Sequence, residues 1–445
     1  MKITTCFFLV AVLSSSSVFA DQGVTLSDAV QQALRNSNLL KAEQFAVRAA
    51  TASQDVAKSR YLPKVAFEEL FSASNSPTRT FMMKLDQGRF STGDFIINNL
   101  NKPGTETDFR TAITLEQTLY DRSVGISVDI AAKERDERES SQQLRQEQVT
   151  LEVVSSYVAV QKTKAQLGVA EKGLISAREH LRLAGVRVSA GTGLKSDELR
   201  ARTFMAEMEE QEIRVRNSLE IARLRLGKAM GAPAGTGMDI SGEIQPLSGT
   251  AQQEELLSLA LNHRADLKEL ERQHEKAELG VGLARSAWYP TLHAGAAFQT
   301  NARSVPFGAD NNSWYAGATF RWEIFDGMRR SREQVKAGAL QTGAAEMLEQ
   351  YKKEVAFQVA ESRLRREEAV KRVEVAHRTV SDAEEGLRLV QKRYEGALAT
   401  VVELLDAQTS VNRARASVVD ADADLVMAST QLAYSVGMLR KEILP

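Results

Sequence analysis

Two acids in the last quarter of the chain, Glu403 and Asp406, have the type and spacing to act on passing ions. Three residues apart on a helix, they share a face. Where several copies of such a helix converge, each acid becomes a ring of carboxylates, and acidic rings favour cations. Standing alone, the two are ordinary solvated helix acids, the usual state of surface carboxylates. Little else offers chemistry. The five histidines, His180, His263, His274, His293 and His377, show no metal-ligand spacing and read as scattered surface or helix-end residues. No phosphate-binding glycine loop or nucleophile elbow is present. Gly191-Thr192-Gly193 has no strand before it and reads as a turn between helices. The expectation is a protein that is not an enzyme, with no catalytic residues, no cofactor and no metal.

The elements that hold Glu403 and Asp406 follow from composition and proline placement. The chain has 445 residues, with 57 Lys and Arg against 58 Asp and Glu. That balance gives no basic field for nucleic acid. A hydrophobic content of 43% does not suit a bundle of transmembrane helices. Residues 1–20 read as a signal peptide: Lys2, the apolar run Phe7 to Leu13, and Val18-Phe19-Ala20 before the cut. The single cysteine, Cys6, falls inside it, so the mature chain is expected to hold no disulfide, thiolate nucleophile or cysteine metal site.

No proline falls between 104 and 232 or between 307 and 444. Proline breaks helices, and both stretches are rich in strong helix formers. Heptads run through them. Val153, Val160, Leu167, Leu174, Leu181 and Val188 recur every seven residues in the first; Val373, Val380, Leu387 and Tyr394 do so in the second. Such a repeat keeps an apolar seam facing a partner helix. One glycine-containing turn interrupts each stretch, at 190–193 and at 395–397. Ser123 to Ala190, at 1.5 Å per residue, is a helix of roughly 100 Å. The returning Leu194 to Gly227 is half as long, about 50 Å, and a single amphipathic helix over Leu26 to Arg60 supplies the other half.

The halves of the chain repeat each other. Ala33-Leu34-Arg35-Asn36 recurs as Ala260-Leu261-Asn262-His263, 227 residues on (260 − 33). Tyr61-Leu62-Pro63 recurs as Trp288-Tyr289-Pro290, and Leu119-Tyr120-Asp121 as Ile324-Phe325-Asp326. Arg187 matches Arg393, and Glu198 is taken to match Glu403. The boundaries read as a first repeat over 21–230, a linker at 231–250, a second repeat over 251–437 and a tail at 438–445.

Between the helices of each repeat the pattern becomes alternating. Strands are expected at about 62–73, 108–120, 289–301 and 313–325. In the last, Trp314, Ala316, Ala318, Phe320, Trp322 and Ile324 oppose Tyr315, Thr319, Arg321 and Glu323. The lengths suit tilted membrane strands of roughly 9–11 residues. Four strands cannot close a barrel, and an open sheet cannot sit in lipid with its edges unpaired. Several chains must therefore share one barrel, and a trimer supplies twelve strands and twelve helices. The loop at about 73–107 is expected to face outside, and Phe81, Met82, Met83 and Phe90 either plug the mouth or pack the loop, with packing the favoured reading.

With these motifs in order, the chain resembles the TolC family of outer-membrane efflux proteins. The resemblance rests on Leu26 to Asn36, Tyr61-Leu62-Pro63, Trp288-Tyr289-Pro290, Phe325-Asp326-Gly327 and, most specifically, Arg393 to Ala407. It implies a mainly α fold with a membrane β-barrel, built from two tandem helix–β-hairpin–long-helix repeats. As a homotrimer, this would form a 12-stranded β-barrel continuous with a 12-helix α-barrel. It further implies an outer-membrane location with a long periplasmic extension, and an equatorial belt near 231–250. The partners implied are a periplasmic adaptor (membrane fusion) protein, an inner-membrane pump and outer-membrane lipid. The function implied is the duct of a tripartite efflux system for small molecules; a type I protein-secretion duct and a soluble periplasmic coiled-coil scaffold are the alternatives. By resemblance, Glu403, Asp406 and Tyr394 form the pore constriction. Adaptor docking is expected at Gly191, Thr192, Gly193 and Leu194 on one tip, and at Gly396, Ala397 and Leu398 on the other. Ala399 stands where the family pattern has an arginine, and Lys195 is offered as its substitute.

Overall fold

The computed structural model describes residues 23–246 and 252–444. The expected leader with Cys6, the end of the linker and Pro445 lie outside the described residues. Each half of the chain runs through the same series. The first has helices α1 (Leu26–Asn36) and α2 (Asn38–Ser59), strand β1 (Lys64–Ser74), short helices α3 (Pro77–Asp86) and α4 (Ile97–Asn101), and strand β2 (Glu106–Tyr120). Helices α5 (Arg122–Ser189) and α6 (Lys195–Ala229) complete it. The second has helices α7 (Gln253–His263) and α8 (Ala265–Ser286), then strands β3 (Thr291–Ala302) and β4 (Asn311–Arg321). Helices α9 (Arg329–Glu395), α10 (Val401–Ser435) and α11 (Leu439–Ile443) close it. The repeat extends to lengths: α5 and α9 have 68 and 67 residues, and α6 and α10 have 35 each. Among the described residues, no helix is long and apolar enough to cross a membrane.

Two expectations about element bounds are corrected. The single helix over Leu26 to Arg60 is two helices, broken at Ser37 (φ −57°, ψ 116°). Its repeat breaks identically at Arg264 (φ −64°, ψ 123°). The last strand ends at Arg321, not 325, because the chain turns there into the Phe325-Asp326-Gly327 segment.

The chain forms two compact units that cut across the sequence repeats. One comprises the described parts of Met1–Leu40, Arg145–Arg264 and Val355–Pro445. Its core joins Ala29, Val30 and Ala33 of α1 to Val153, Tyr157 and Val160 of α5 and to Leu219, Ala222 and Leu226 of α6. The start of the first heptad seam, Val153 and Val160, is thus buried as its spacing requires. The linker is part of this core. Val24 and Ile240 form a parallel bridge, and the Tyr157 hydroxyl donates to the carbonyls of Val24 (3.1 Å) and Gly242 (3.2 Å). The helix breaks have a packing reason. Gly231 and Gly437 end α6 and α10 with φ of 71° and 73°, which favours glycine. A side chain on Gly231 would meet Asn36 at 3.0 Å, and one on Gly437 would meet the backbone of Arg264 at 3.0 Å. Each helix end is pressed against the matching break.

The other unit comprises Lys41–Leu144 and Ala265–Glu354 and carries the sheet. The four strands are antiparallel in the order β1-β2-β3-β4, so β1 and β4 are both edges. Register aligns the apolar residues on one face. Val65 pairs with Leu115 and Leu115 with Ala296; Phe67 pairs with Ile113, Ile113 with Phe298 and Phe298 with Trp314. Trp314 is 76% exposed and Val65 69%. Burying one such side chain is worth about 1.5–3 kcal/mol, so a contiguous face of this kind calls for an apolar medium. Glu69, the one acid on that face, is held by the Thr111 hydroxyl and the Phe307 amide. The opposite face is polar: Lys64 lies across from Glu116, and Arg110 pairs with Glu68 at 3.2 Å.

The junction of β4 and α9 explains the two family motifs together. Arg330, 3% exposed, pairs with Asp326 at 3.1 Å. It also donates to the Ala287 and Ile324 carbonyls and lies 4.4 Å over the Trp288 ring. At the far end of the sheet, α3 folds over the polar face. Gln87 donates to Asp108 at 2.8 Å, and Asn301 donates to the same carboxylate at 2.8 Å. Phe81, Phe90 and Phe95 pack edge to face, and Met83 is buried; Met82 is exposed. The loop is packed as expected for three of its four named side chains.

Candidate gate and docking surface at the helical tips

The turns 190–194 and 396–400 lie in one compact unit, and their backbones superpose in pattern at an offset of 206. In the first, Gly191 N–H donates to Val188 and Thr192 N–H to Arg187; in the second, Ala397 N–H donates to Tyr394 and Leu398 N–H to Arg393. Gly191 and Ala397 both take positive φ, 72° and 58°. That conformation costs an alanine about 1 kcal/mol more than a glycine. Gly193 has a different need: a Cβ there would lie 2.9 Å from the Arg187 Cβ. Gly191, Thr192, Gly396 and Ala397 are exposed and Gly193 is partly so. Leu194 is 67% exposed and Leu398 73%, so each turn carries an apolar side chain on an otherwise solvated end.

The offset of 206 corrects one pairing. It aligns the helix starts Leu194 and Thr400, so the counterpart of Glu403 is Asp197 and not Glu198. Glu198 instead accepts from Lys195 at 2.6 Å and Arg202 at 3.0 Å, both on its own helix. Lys195 is therefore engaged locally and does not substitute across the tips for the family arginine absent at Ala399.

The contact that does cross between the tips is made by Arg187. Its guanidinium lies 3.9 Å over the ring of Tyr394 and donates to the Tyr394 carbonyl, with a longer contact to the Glu395 carbonyl at 3.4 Å. Tyr394 is 5% exposed and packs with Val401 and Leu404. The clamp joins the end of α5 to the end of α9. Arg393, at the matching position, stays on its own turn and donates to the Leu398 carbonyl at 3.1 Å.

Glu403 and Asp406 are exposed on the side of α10 opposite the buried Val401, Leu404, Gln408 and Val411. The shared face expected from their spacing is real. Glu403 has a second task. Thr400 caps the helix through the Glu403 amide at 3.2 Å, while Glu403 accepts from the Thr400 amide at 3.3 Å, a reciprocal capping box. Arg393 approaches the same carboxylate at 3.8 Å.

One turn further into the bundle, His180 is buried, against the expectation of a surface histidine. Its Nε2 lies 3.2 Å from Gln408 Oε1, while its Nδ1 is buried with no partner among the described residues. Gln408 in turn donates to Asn412 at 3.0 Å. Burial pushes the imidazole below its ordinary value, with the Gln408 contact working the other way.

Comparison with known proteins places this architecture. The family profile for outer membrane efflux proteins matches residues 29–232 and 256–438. Nodulation protein T of Rhizobium leguminosarum bv. trifolii is 22% identical over 60% of this chain and 58% of its own length. The pyoverdine export outer membrane protein OpmQ of Pseudomonas aeruginosa is 24% identical over 65% of this chain and 60% of its own length. The chain thus spans about three fifths of these two relatives. The solved structure of CusC, described as forming a transmembrane channel, has the same fold: TM-score 0.80, covering 95% of each chain at 18% identity. Two family matches, one on each repeat, cover the helices, strands and tips described above. The chain belongs to the outer membrane efflux protein family, whose place is the outer membrane with a periplasmic extension.

Proposed function

We propose that the protein is the outer-membrane channel and periplasmic duct of a tripartite efflux system, working as a homotrimer. The observation that carries this reading is the sheet: four strands, one continuous apolar face, and two edges left open at β1 and β4. Three such sheets joined edge to edge give a closed barrel with lipid outside and the polar face lining a lumen. Small molecules reach that lumen from an inner-membrane pump through a periplasmic adaptor. The exposed Leu194 and Leu398, with the turns Gly191 to Gly193 and Gly396 to Ala397, form the adaptor's docking surface. Glu403 and Asp406 line the constriction, where threefold acid rings favour cations, while the buried Tyr394 holds the turn behind them rather than facing the lumen.

The test is reconstitution. Purified protein should run as a trimer and give discrete conductance steps in planar bilayers. Release from membranes by carbonate, with no conductance, would sink the channel reading. Glu403→Gln keeps the capping box, since glutamine serves there too, while removing the charge. Paired with Asp406→Asn, it should lower cation selectivity; unchanged reversal potentials would remove both acids from the pore.

A further inference from the structure

At the helical end of the sheet the polar face opens into a hollow of about 530 Å³. Gly295 lines it between the strands, and Gly317 lies directly opposite that residue in the β3–β4 register. A side chain on Gly295 would meet only the Leu115 carbonyl at 3.6 Å, an ordinary contact, so no tight backbone approach requires the glycine there. Arg60, Lys64, His293 and Arg321 stand around the hollow with the acids Glu116 and Asp121.

The charges do not cancel evenly. Asp121 is taken by the Ser123 amide at 2.8 Å and by Arg60 at 3.8 Å. Glu116 lies across the register from Lys64, the arrangement in which opposite charges offset each other between strands. His293 Nδ1 sits 3.4 Å from the Thr118 hydroxyl. Arg321 is left over. Among the described residues it has no ion pair, and it ends β4 on the polar face, exposed and lining the hollow.

We infer that this hollow is an anion subsite in the duct, taking small molecules that carry several carboxylate, sulfonate or phosphate groups, with Arg321 as its principal contact. The apolar face of the same strands fixes the direction: lipid on one side puts Arg321 on the other, in the lumen. In a threefold barrel three Arg321 guanidinia encircle the axis, each a planar donor fork matched to oxyanions. A polyanion passing through the barrel meets this cationic ring. The inference rests on the channel reading, but its test does not need conduction.

The probe is a trisulfonated pyrene dye, bound to the purified detergent-solubilised trimer and followed by fluorescence anisotropy. Arg321→Gln should weaken binding about tenfold or more, the effect of losing one charge contact per subunit. Arg321→Lys should retain most of it, and Glu116→Gln should tighten it. In bilayers the dye should block current in the wild type and fail to do so in Arg321→Gln. Equal dye binding by wild type and Arg321→Gln overturns the subsite, whatever the conductance shows. So does equal binding of an uncharged pyrene. A protein that binds the dye through Arg321 but never conducts keeps the subsite and sinks the channel reading instead.

Discussion

Arg187→Ala removes the clamp between the two helical tips and, on the proposed channel reading, should shift the gate towards open. The guanidinium over the Tyr394 ring is worth about 1 kcal/mol at a half-exposed position. Its charge-assisted hydrogen bond to the Tyr394 carbonyl adds about 1.5 kcal/mol. Allowing for overlap between the two, the clamp contributes about 2 kcal/mol per subunit. In the proposed trimer, three subunits opening together would forfeit about 6 kcal/mol, a shift of roughly 10⁴ in the closed-to-open ratio. Single-channel recording reads this as raised open probability, and hydrogen exchange reads it as faster exchange of the amides that end α5 and α9. The series is graded. Tyr394→Phe keeps both the ring and the carbonyl and should change little. Arg187→Lys keeps charge but loses the planar fork, and should lie between. Two results would refute the reasoning: Arg187→Ala that stays closed with unaltered exchange, or Tyr394→Phe as open as Arg187→Ala.

Three further outcomes follow from the geometry. Gly437→Ala forces an alanine to φ 73° and drives its Cβ to 3.0 Å from the Arg264 amide nitrogen; thermal unfolding should show a loss of about 2 kcal/mol. Ala397→Gly relieves a positive φ and should stabilise the second tip by up to about 1 kcal/mol, seen as slower local exchange. His180 is buried with its pKa held below the ordinary value, so the folded chain binds fewer protons there than the unfolded one. Its contribution is therefore full above about pH 6.5 and declines as pH falls through that value towards the lower folded pKa. Melting temperatures of the wild type should drop over that window, and His180→Gln should flatten the drop.

The parts of the fold legible in sequence were those with local signals. Proline spacing and heptads placed the long helices to within about three residues at each end, because helix formation and seam burial are both periodic. The strand faces were legible because register aligns what alternation predicts. The breaks at Ser37 and Arg264 were not, since neither site has a proline or glycine; they coincide with the glycine ends of helices more than 170 residues away in the chain. The overrun of β4 came from alternation that continues through Trp322 and Ile324 after the backbone has turned. At the tips, Thr400 and Glu403 carried a legible capping signature that was read only as pore charge. Arg187 carried a fainter one: an arginine at the same repeat position as Arg393, bonding across to the other turn instead of within its own. The burial of His180 depends on α10, distant in sequence, and left no local trace.

The open edges at β1 and β4 have a genetic consequence. A head-to-tail ring has no stable partial form, since every intermediate still presents an unsatisfied edge. A proline placed in β4 to block its hydrogen bonds would disable one joint per subunit, and one bad joint spoils the whole ring. Co-expressed in equal amount with the wild type, such a chain would leave only about one ring in eight intact. A lesion of this kind behaves as a poison in a cell given a second, plasmid-borne copy, whereas a deleted second copy does not.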